Sequence, residues 1–167
     1  MLPRTAAALA IMVFLVACAR APKPAAAFIG GMLSGSGGPI QNAEVKLRSY
    51  ADENCAKLSR NNKLSEAEDQ QYKQCSREVS STTSDSQGKY SFPNIPEGWY
   101  SLQMNWVTKD DPLKSNPMWK PLFLYRQDGY LITFIAAKDS SFHALATGEP
   151  FHFAGGDSGQ KDLKLKL

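Results

Sequence analysis

Histidine and cysteine are the side chains in this sequence that could ligate a metal or serve in catalysis, and their spacing favours neither role. Eight residues separate His143 from His152, with Glu149 as the only acid between them and no cysteine close by. A zinc or copper centre needs three or four such ligands together, so two strand or loop histidines are the favoured interpretation. We expect no metal, no cofactor and no enzyme activity, because these residues cannot be assembled into an activated nucleophile or an acid–base pair.

A serine in a glycine-rich segment is the other candidate nucleophile. The segment Gly156-Asp157-Ser158-Gly159 resembles the nucleophile segment of trypsin-like proteases. That fold needs two β-barrels and a histidine far upstream, whereas this chain has 167 residues and both histidines lie within 15 residues of Ser158. We interpret the segment as a turn before the last strand.

The composition is that of one globular domain. Hydrophobic residues make up 43% of the chain and charged residues 21%, which is typical of a folded protein. There are 19 basic and 16 acidic residues, for a formal charge of +3. An excess this small argues against a nucleic-acid partner.

The N-terminus has the order of a secretion signal. Arg4 precedes a run of 12 apolar residues, Ala6–Ala17, which is too short for a membrane-spanning helix of about 20 residues. The run ends in Leu15-Val16-Ala17-Cys18, which resembles a bacterial lipobox. The resemblance implies that residues 1–17 are a signal peptide and that the Cys18 thiol receives a diacylglyceryl group. The alternative is an ordinary secreted protein with an incidental cysteine.

The residues after Cys18 extend this expectation to a location. Residues 18–27 contain Pro22 and Pro24 and no large apolar side chain, so we predict a lipidated tether, partly in the polyproline II conformation. In lipoproteins, aspartate after the cysteine favours the inner membrane, so Ala19 implies the outer membrane of a Gram-negative bacterium. Several acyl chains anchor a protein stably where one chain does not.

Two cysteines, Cys55 and Cys75, remain once Cys18 is assigned to the lipid. An even number of thiols in an oxidising compartment predicts a disulfide bond. The 20-residue separation would make that bond worth about 3 kcal/mol through loop-closure entropy. Two unpaired thiols are the alternative, and a zinc site is disfavoured because no histidine or third cysteine lies nearby.

Alternating apolar and polar residues predict most of the strands. Residues 29–33 and 43–47 alternate on either side of a Gly-rich turn, and a later run places Tyr100, Leu102, Met104 and Trp106 on one face. Residues 108–121 predict a long loop. Further strands are expected around the hairpin signal Asp128-Gly129 and at the C-terminus, over 122–125, 131–137 and 163–167. At least seven strands predict a mostly β, antiparallel sandwich.

The segment 51–79 interrupts the strands with a polar, helical pattern. Ser65 and Glu68 have the spacing of a helix capping box. We predict an insertion of two short helices joined around Asn61-Asn62, with Cys55 and Cys75 facing each other across them.

Two blocks carry a spaced pattern of glycine, proline, aromatic and aliphatic residues. They read Ile29-x-Gly31-x-Leu33 with Pro39-Ile40-x-x-Ala43-x-Val45-x-Leu47, and Thr83-x-Asp85-x-x-Gly88-x-Tyr90-x-Phe92-x-x-Ile95-Pro96-x-Gly98-x-Tyr100-x-Leu102. This pattern resembles a carboxypeptidase regulatory-like domain, which implies a transthyretin-like β-sandwich over residues 28–167. In such a pattern Asp85 can cap the amides of its turn, and Gly88 and Gly98 permit positive φ. The resemblance implies no peptidase activity, because this module is not the catalytic domain of carboxypeptidases.

Three aromatic side chains, Trp99, Trp119 and Tyr125, are candidates for ligand binding. Trp99 alternates away from the Tyr100 face, and Trp119 lies in the proline-rich loop. Exposed aromatic rings can stack on sugars, and transthyretin-like modules occur in carbohydrate-active proteins. The favoured alternative is that the two tryptophans cover the edges of the sandwich or the insertion.

The sequence therefore favours a non-enzymatic cell-envelope lipoprotein whose β-sandwich serves protein interaction or envelope scaffolding. Its expected partners are the membrane, through the N-terminal lipid, and an envelope protein. A carbohydrate-binding module with a polysaccharide ligand is one alternative. A lipoprotein component of a secretion apparatus is another, since the outer-membrane lipoprotein of type VI secretion also has this architecture.

Overall fold

A computed structural model of the chain describes residues 27–61, 63–109, 122–154, 156 and 158–165. These residues form two helices and twelve strands: β1 (Phe28–Gly35), β2 (Gly38–Pro39), β3 (Glu44–Tyr50), α1 (Glu53–Leu58), α2 (Glu66–Cys75), β4 (Ser76–Thr83), β5 (Lys89–Pro93), β6 (Gly98–Thr108), β7 (Leu122–Gln127), β8 (Tyr130–Ala136), β9 (Phe142–Gly148), β10 (Phe151–Phe153), β11 (Ser158–Gln160) and β12 (Leu163–Lys164). No helix within these ranges is long and apolar enough to cross a membrane.

The strands form two sheets, which confirms the predicted mostly β sandwich with a short helical insertion. The five-stranded sheet is centred on β1, which pairs antiparallel with β2 and β5 and parallel with β11 and β12. The seven-stranded sheet has the order β4-β3-β6-β9-β8-β7, with β10 also paired to β6. Every strand pair in this larger sheet is antiparallel.

The core contains the alternate residues that each strand turns away from solvent. On β6 these residues are Tyr100, Leu102, Met104 and Trp106, all at most 6% exposed, which confirms the predicted face. The Trp106 ring packs edge-on against Phe134 of β8, with 6.2 Å between centroids. The smaller sheet contributes Ile29 and Phe92 to the same buried cluster.

The turn between β4 and β5 depends on one aspartate and one glycine. Asp85 Oδ1 accepts hydrogen bonds from the Gln87 and Lys89 amides, both at 2.8 Å, which confirms the predicted cap. Gly88 has φ +73°, and a Cβ there would lie 2.1 Å from the Leu33 carbonyl oxygen. The expectation of positive φ at Gly98 is wrong. Glycine fits there because a Cβ would lie only 3.3 Å from the Tyr100 ring.

The predicted insertion is correct in its helices and too long at its C-terminal end. Both helices are present, and the Ser65–Glu68 capping box is formed. However, α2 ends at Cys75 and residues 76–83 form strand β4. This strand is the edge of its sheet, so little of it is buried, and it lacks the apolar alternation that identifies a half-buried strand.

The second half of the chain also contains strands that the sequence did not predict. The hairpin at Asp128-Gly129 joins β7 to β8 as predicted, with φ of 50° and 78° at its two residues. Strands β9, β10 and β11 were not expected. At the C-terminus the strand spans Leu163–Lys164, followed by a buried Leu165. Most of the predicted loop, residues 110–121, lies outside the described ranges.

Candidate functional site

The predicted disulfide joins the two helices of the insertion to each other beside the larger sheet. Cys55 of α1 and Cys75 of α2 are bonded, with their Cα atoms 6.0 Å apart. Asp52 begins α1 as its N-cap, since its side chain accepts a hydrogen bond from the Cys55 amide at 2.8 Å. Cys55 and Ala56 are buried against Tyr50 at the end of β3. The two cysteines thus hold both helices over one end of the sheet.

Trp99, a predicted ligand-binding residue, lies on β6 next to this insertion. It pairs with Tyr50 of β3 on one side and with His152 of β10 on the other. Its indole is half-buried against the insertion cluster and meets the His152 ring edge-on at 5.3 Å. His152 Nε2 also lies 3.8 Å from Glu97 Oε1. Trp99 therefore points away from the core, as predicted, and packs against the insertion.

A cavity of about 1010 Å³ opens beside Trp99, between the first half of β4 and the turn that precedes β6. Its charged walls are Arg77 and Glu78 from β4 and Glu97 from the turn. Burial raises the pKa of Tyr100, which also lines the cavity, while the charge of Arg77 acts in the opposite direction. The cavity therefore places one half-buried indole beside positively and negatively charged side chains, which can donate and accept hydrogen bonds.

The other predicted site residues are not brought to this cavity. Cys18 and Trp119 lie outside the described ranges. Tyr125 belongs to β7, and its side chain is not among those described. β7 is three strands from β6, and the pairing registers place Tyr125 level with Met104, five residues along β6 from Trp99. At ordinary strand spacing and rise, the backbones of Tyr125 and Trp99 are therefore roughly 20 Å apart.

A second cavity, of about 660 Å³, lies over the smaller sheet. Phe28 and Met32 of β1 line it and are 41% and 42% exposed. Asp162 also lines it, and its carboxylate accepts hydrogen bonds from the Met32 amide and the Gln160 side chain, both at 2.9 Å. Sequence reasoning did not select Phe28 or Met32, although their alternation with Ile29 and Leu33 placed them on the outer face.

A third cavity, of about 230 Å³, lies between the insertion and the outer face of the larger sheet. Lys46, Arg48 and Tyr50 of β3 line it together with Tyr72 of α2. Burial raises the pKa of Tyr50 above its ordinary value. No sequence signal could have identified this cavity, because it depends on where α2 lies over the sheet.

The residues considered for metal binding and catalysis are dispersed. His143 lies on β9 and His152 on β10. In the part of the chain that the structure describes, no group of three or more histidine, cysteine, aspartate or glutamate side chains could hold a metal. Ser158 is the first residue of β11, where it pairs with Phe28 of β1.

Comparisons with known proteins do not assign this chain to a family. No protein-family model matches it, and no curated protein matches it. It is similar in structure to a candidate carbohydrate-binding protein from Pseudomonas aeruginosa, with 15% identity, a TM-score of 0.38, and coverage of 83% of this chain and 88% of that chain. It is also similar to a 9R-lipoxygenase from Cyanothece, with 10% identity and a TM-score of 0.35, covering 84% of this chain and 16% of that one. Neither similarity is close enough to carry a fold family or a function to this chain.

Proposed function

We propose that this chain is a non-enzymatic lipoprotein of the bacterial cell envelope, anchored to the outer membrane through Cys18, whose β-sandwich binds a protein partner. The anchor follows from the apolar run and the Leu15-Val16-Ala17-Cys18 motif. The fold of the proposed module is that of a carboxypeptidase regulatory-like domain, on the residue pattern described above.

The Cys55–Cys75 disulfide is the observation that carries the envelope location. Such bonds persist in oxidising compartments such as the bacterial periplasm and are rare in the cytosol. The bond joins two helices that together bury few side chains, since α2 buries none and α1 buries Cys55 and Ala56. A covalent link compensates for a small apolar contact, and it is useful only where it is not reduced.

The edge strand β4 supports a protein partner. It pairs with β3, and among the described residues no strand pairs with its other side. A free edge offers backbone N–H and C=O groups to which an extended polypeptide can add as a further strand. The first half of β4 is protected by the charges of Arg77 and Glu78 and by an irregularity in its pairing with β3. The second half, residues 80–83, has neither a charge nor a proline, and is the proposed contact.

The anchor is tested by substituting Cys18 in the producing cell. Cys18→Ser is expected to abolish labelling by radioactive palmitate and to leave an unprocessed or soluble chain. Cys75→Ser is the matched control, because it removes a thiol from the insertion and should leave labelling intact. Normal labelling of Cys18→Ser would refute the anchor.

The partner surface is tested by photo-crosslinking in intact cells. A benzophenone amino acid at Ser81, an exposed residue of β4, is expected to give a discrete protein adduct. The control position is Ser140, which is exposed in the turn before β9. Adducts of the same size and yield at both positions, or none at Ser81, would count against recognition through β4.

Carbohydrate binding is the second candidate, and the cavity beside Trp99 favours it. The half-buried indole lies next to Arg77, Glu97 and Asn94, which is the combination of an aromatic surface and polar groups that a sugar requires. Affinity electrophoresis of the full chain through immobilised envelope polysaccharides should show retention that Trp99→Ala abolishes. His143→Ala, at an exposed position on β9, should leave retention unchanged. Equal migration with and without polysaccharide would exclude this candidate.

A further inference from the structure

The cavity of about 230 Å³ beneath the insertion has the character of a small, polar binding site. Its floor is the outer face of the larger sheet, where Arg48 of β3 and Gln103 of β6 line it. Ser59, just after α1, and Tyr72 of α2 line the side formed by the insertion. Cavities for drug-sized ligands have roughly 300–1,000 Å³, so the occupant here is one small molecule.

Hydroxyl and amide groups converge on this cavity. The Tyr50 hydroxyl and Ser101 Oγ are 2.7 Å apart and form a buried hydrogen bond. Ser59, Tyr72 and Gln103 line the same space, and Ser59 Oγ donates a hydrogen bond of 2.7 Å to the Ala56 carbonyl oxygen. Groups that can both donate and accept hydrogen bonds suit a ligand rich in hydroxyls. The rings of Tyr50 and Tyr72, with centroids 6.3 Å apart, add apolar contact area.

Of the charged side chains described around this cavity, Arg48 is a cation with no carboxylate partner. Lys46 Nζ lies 3.3 Å from a Glu44 oxygen and 3.6 Å from a Glu78 oxygen. Arg48 Nη1 donates a hydrogen bond of 3.3 Å to Ser76 Oγ. Among the described residues Arg48 has no carboxylate oxygen within 4.0 Å, because the carboxylate of Glu78, opposite it on β4, lies beside Lys46.

A guanidinium with free donors selects a particular kind of anion. Its five N–H groups form a planar fork that matches a carboxylate in a bidentate arrangement. Lys46 is flanked by the carboxylates of Glu44 and Glu78, so among the described lining residues Arg48 supplies the one positive charge available to an anion. That charge balances one carboxylate, whereas a dianionic phosphate beside Glu78 would be repelled.

We propose that this cavity binds a sugar acid, a monosaccharide unit with a carboxylate, whose charge pairs with Arg48 and whose hydroxyls bond to the surrounding Ser, Tyr and Gln side chains. The proposal does not depend on the strand partner of β4 or on the cavity beside Trp99. It goes beyond the carbohydrate candidate, because it assigns a separate site at a different place on the sheet and names the ligand class of that site.

The test is titration calorimetry of the full chain in detergent with glucuronate, glucose and inorganic phosphate as separate probes. Glucuronate is expected to bind saturably, and glucose and phosphate at least about tenfold more weakly, since a hydrogen bond to a charged group is worth about 1.5–3 kcal/mol. Equal affinity for glucose would overturn the assignment of a carboxylate. Absence of saturable glucuronate binding would overturn the site.

Two arginine variants locate the binding. Arg48→Gln is expected to weaken glucuronate binding about tenfold or more, and Arg48→Lys to recover only part of it, because a lysine lacks the bidentate fork. Arg126→Gln is the matched control, since it makes the same charge change at a side chain that is 64% exposed and paired with Glu149. Wild-type affinity in Arg48→Gln, or an equal loss in Arg126→Gln, would contradict the proposal. Unchanged circular dichroism confirms that Arg48→Gln is folded. Trp99→Ala alters the neighbouring cavity, so glucuronate binding that persists in this variant belongs to the cavity beside Arg48.

Discussion

Tyr50 and Trp99 lie directly opposite each other on β3 and β6, and the disulfide-linked insertion packs against both of them. Among its described residues, the insertion contributes only Cys55 and Ala56 as buried side chains to this cluster, with Tyr72 and Cys75 partly buried beside them. A contact this small stabilises the two helices weakly on its own. The position of the insertion therefore depends on the covalent bond, and so do the two cavities that it borders.

The first prediction concerns that bond. Replacing Cys55 and Cys75 together by alanine should cost about 3 kcal/mol, the entropy expected for a loop of this length. Much of the effect should be local, because the larger core lies on the other face of the sheet. Limited trypsin digestion should then cut at Lys57, Lys63 or Lys73, while strand circular dichroism is retained.

The same digestion of the wild-type chain provides the comparison. The disulfide-bonded form should resist cleavage within the insertion under conditions that cut the double variant, and non-reducing mass mapping should show one peptide pair joined through the two cysteines. Equal protection of the two forms would show that noncovalent contacts alone hold the helices.

The second prediction compares a buried and an exposed residue of β6. Leu102 is 1% exposed and Val107 is 60% exposed. Leu102→Ala should lower the free energy of unfolding by about 2–5 kcal/mol through lost transfer energy and a cavity, and Val107→Ala by less than about 0.5 kcal/mol. Denaturant titration of both variants measures the difference. Similar losses would contradict the assigned burial of the two residues, and a larger loss for Val107→Ala would mean that the side chains of this strand face the other way.

Local sequence patterns predicted the strands whose apolar and polar residues alternate and the helix that begins with a capping box. The face containing Leu102 and Met104 follows from period-two alternation alone, and the start of α2 from the Ser65–Glu68 capping box. Strand β4 was missed because an edge strand buries little and can be polar on both faces. Val79 also lies seven residues after Tyr72, so the two matched one helical face and extended the predicted helix.

The sites were less predictable than the fold, because they depend on contacts between distant segments. The Cys55–Cys75 pair could be inferred from the number of cysteines and the expected compartment. That Arg48 has no carboxylate partner among the described residues could not be inferred, because this depends on the Glu78 carboxylate of β4 lying beside Lys46 of the paired strand β3. Sequence gives the register of neighbouring strands only where a turn joins them directly, and β3 and β4 are joined through the insertion.

The third prediction separates backbone strain from steric contact at two glycines. Gly88 and Gly129 both have positive φ, +73° and +78°. Alanine at either position pays the cost of the left-handed conformation, about 1 kcal/mol. At Gly88 the new Cβ would also lie 2.1 Å from the Leu33 carbonyl oxygen, whereas nothing lies within 4 Å at Gly129. Gly88→Ala should therefore reduce the melting temperature much more than Gly129→Ala, and equal reductions would contradict the close approach.

The fourth prediction concerns stability at alkaline pH. Burial raises the pKa of Tyr130 from 10.0 to about 12, and Tyr90 beside it is shifted in the same direction, also chiefly by burial. A folded-state pKa above the unfolded value means that the stabilisation is fully present below pH 10 and is lost as pH rises from 10 to 12. For Tyr130 the loss amounts to about 2–3 kcal/mol. Tyr130→Phe should therefore show a shallower fall of melting temperature between pH 9 and pH 12 than the wild-type chain.

The melting temperature of each protein at neutral pH serves as its reference. Loss of the hydroxyl changes the stability of the variant at every pH, so the slope of melting temperature against pH isolates the effect of the titration. Tyrosinate absorbance should show one fewer late-titrating group in the variant, and identical slopes in the two proteins would show that Tyr130 does not ionise on unfolding in this range.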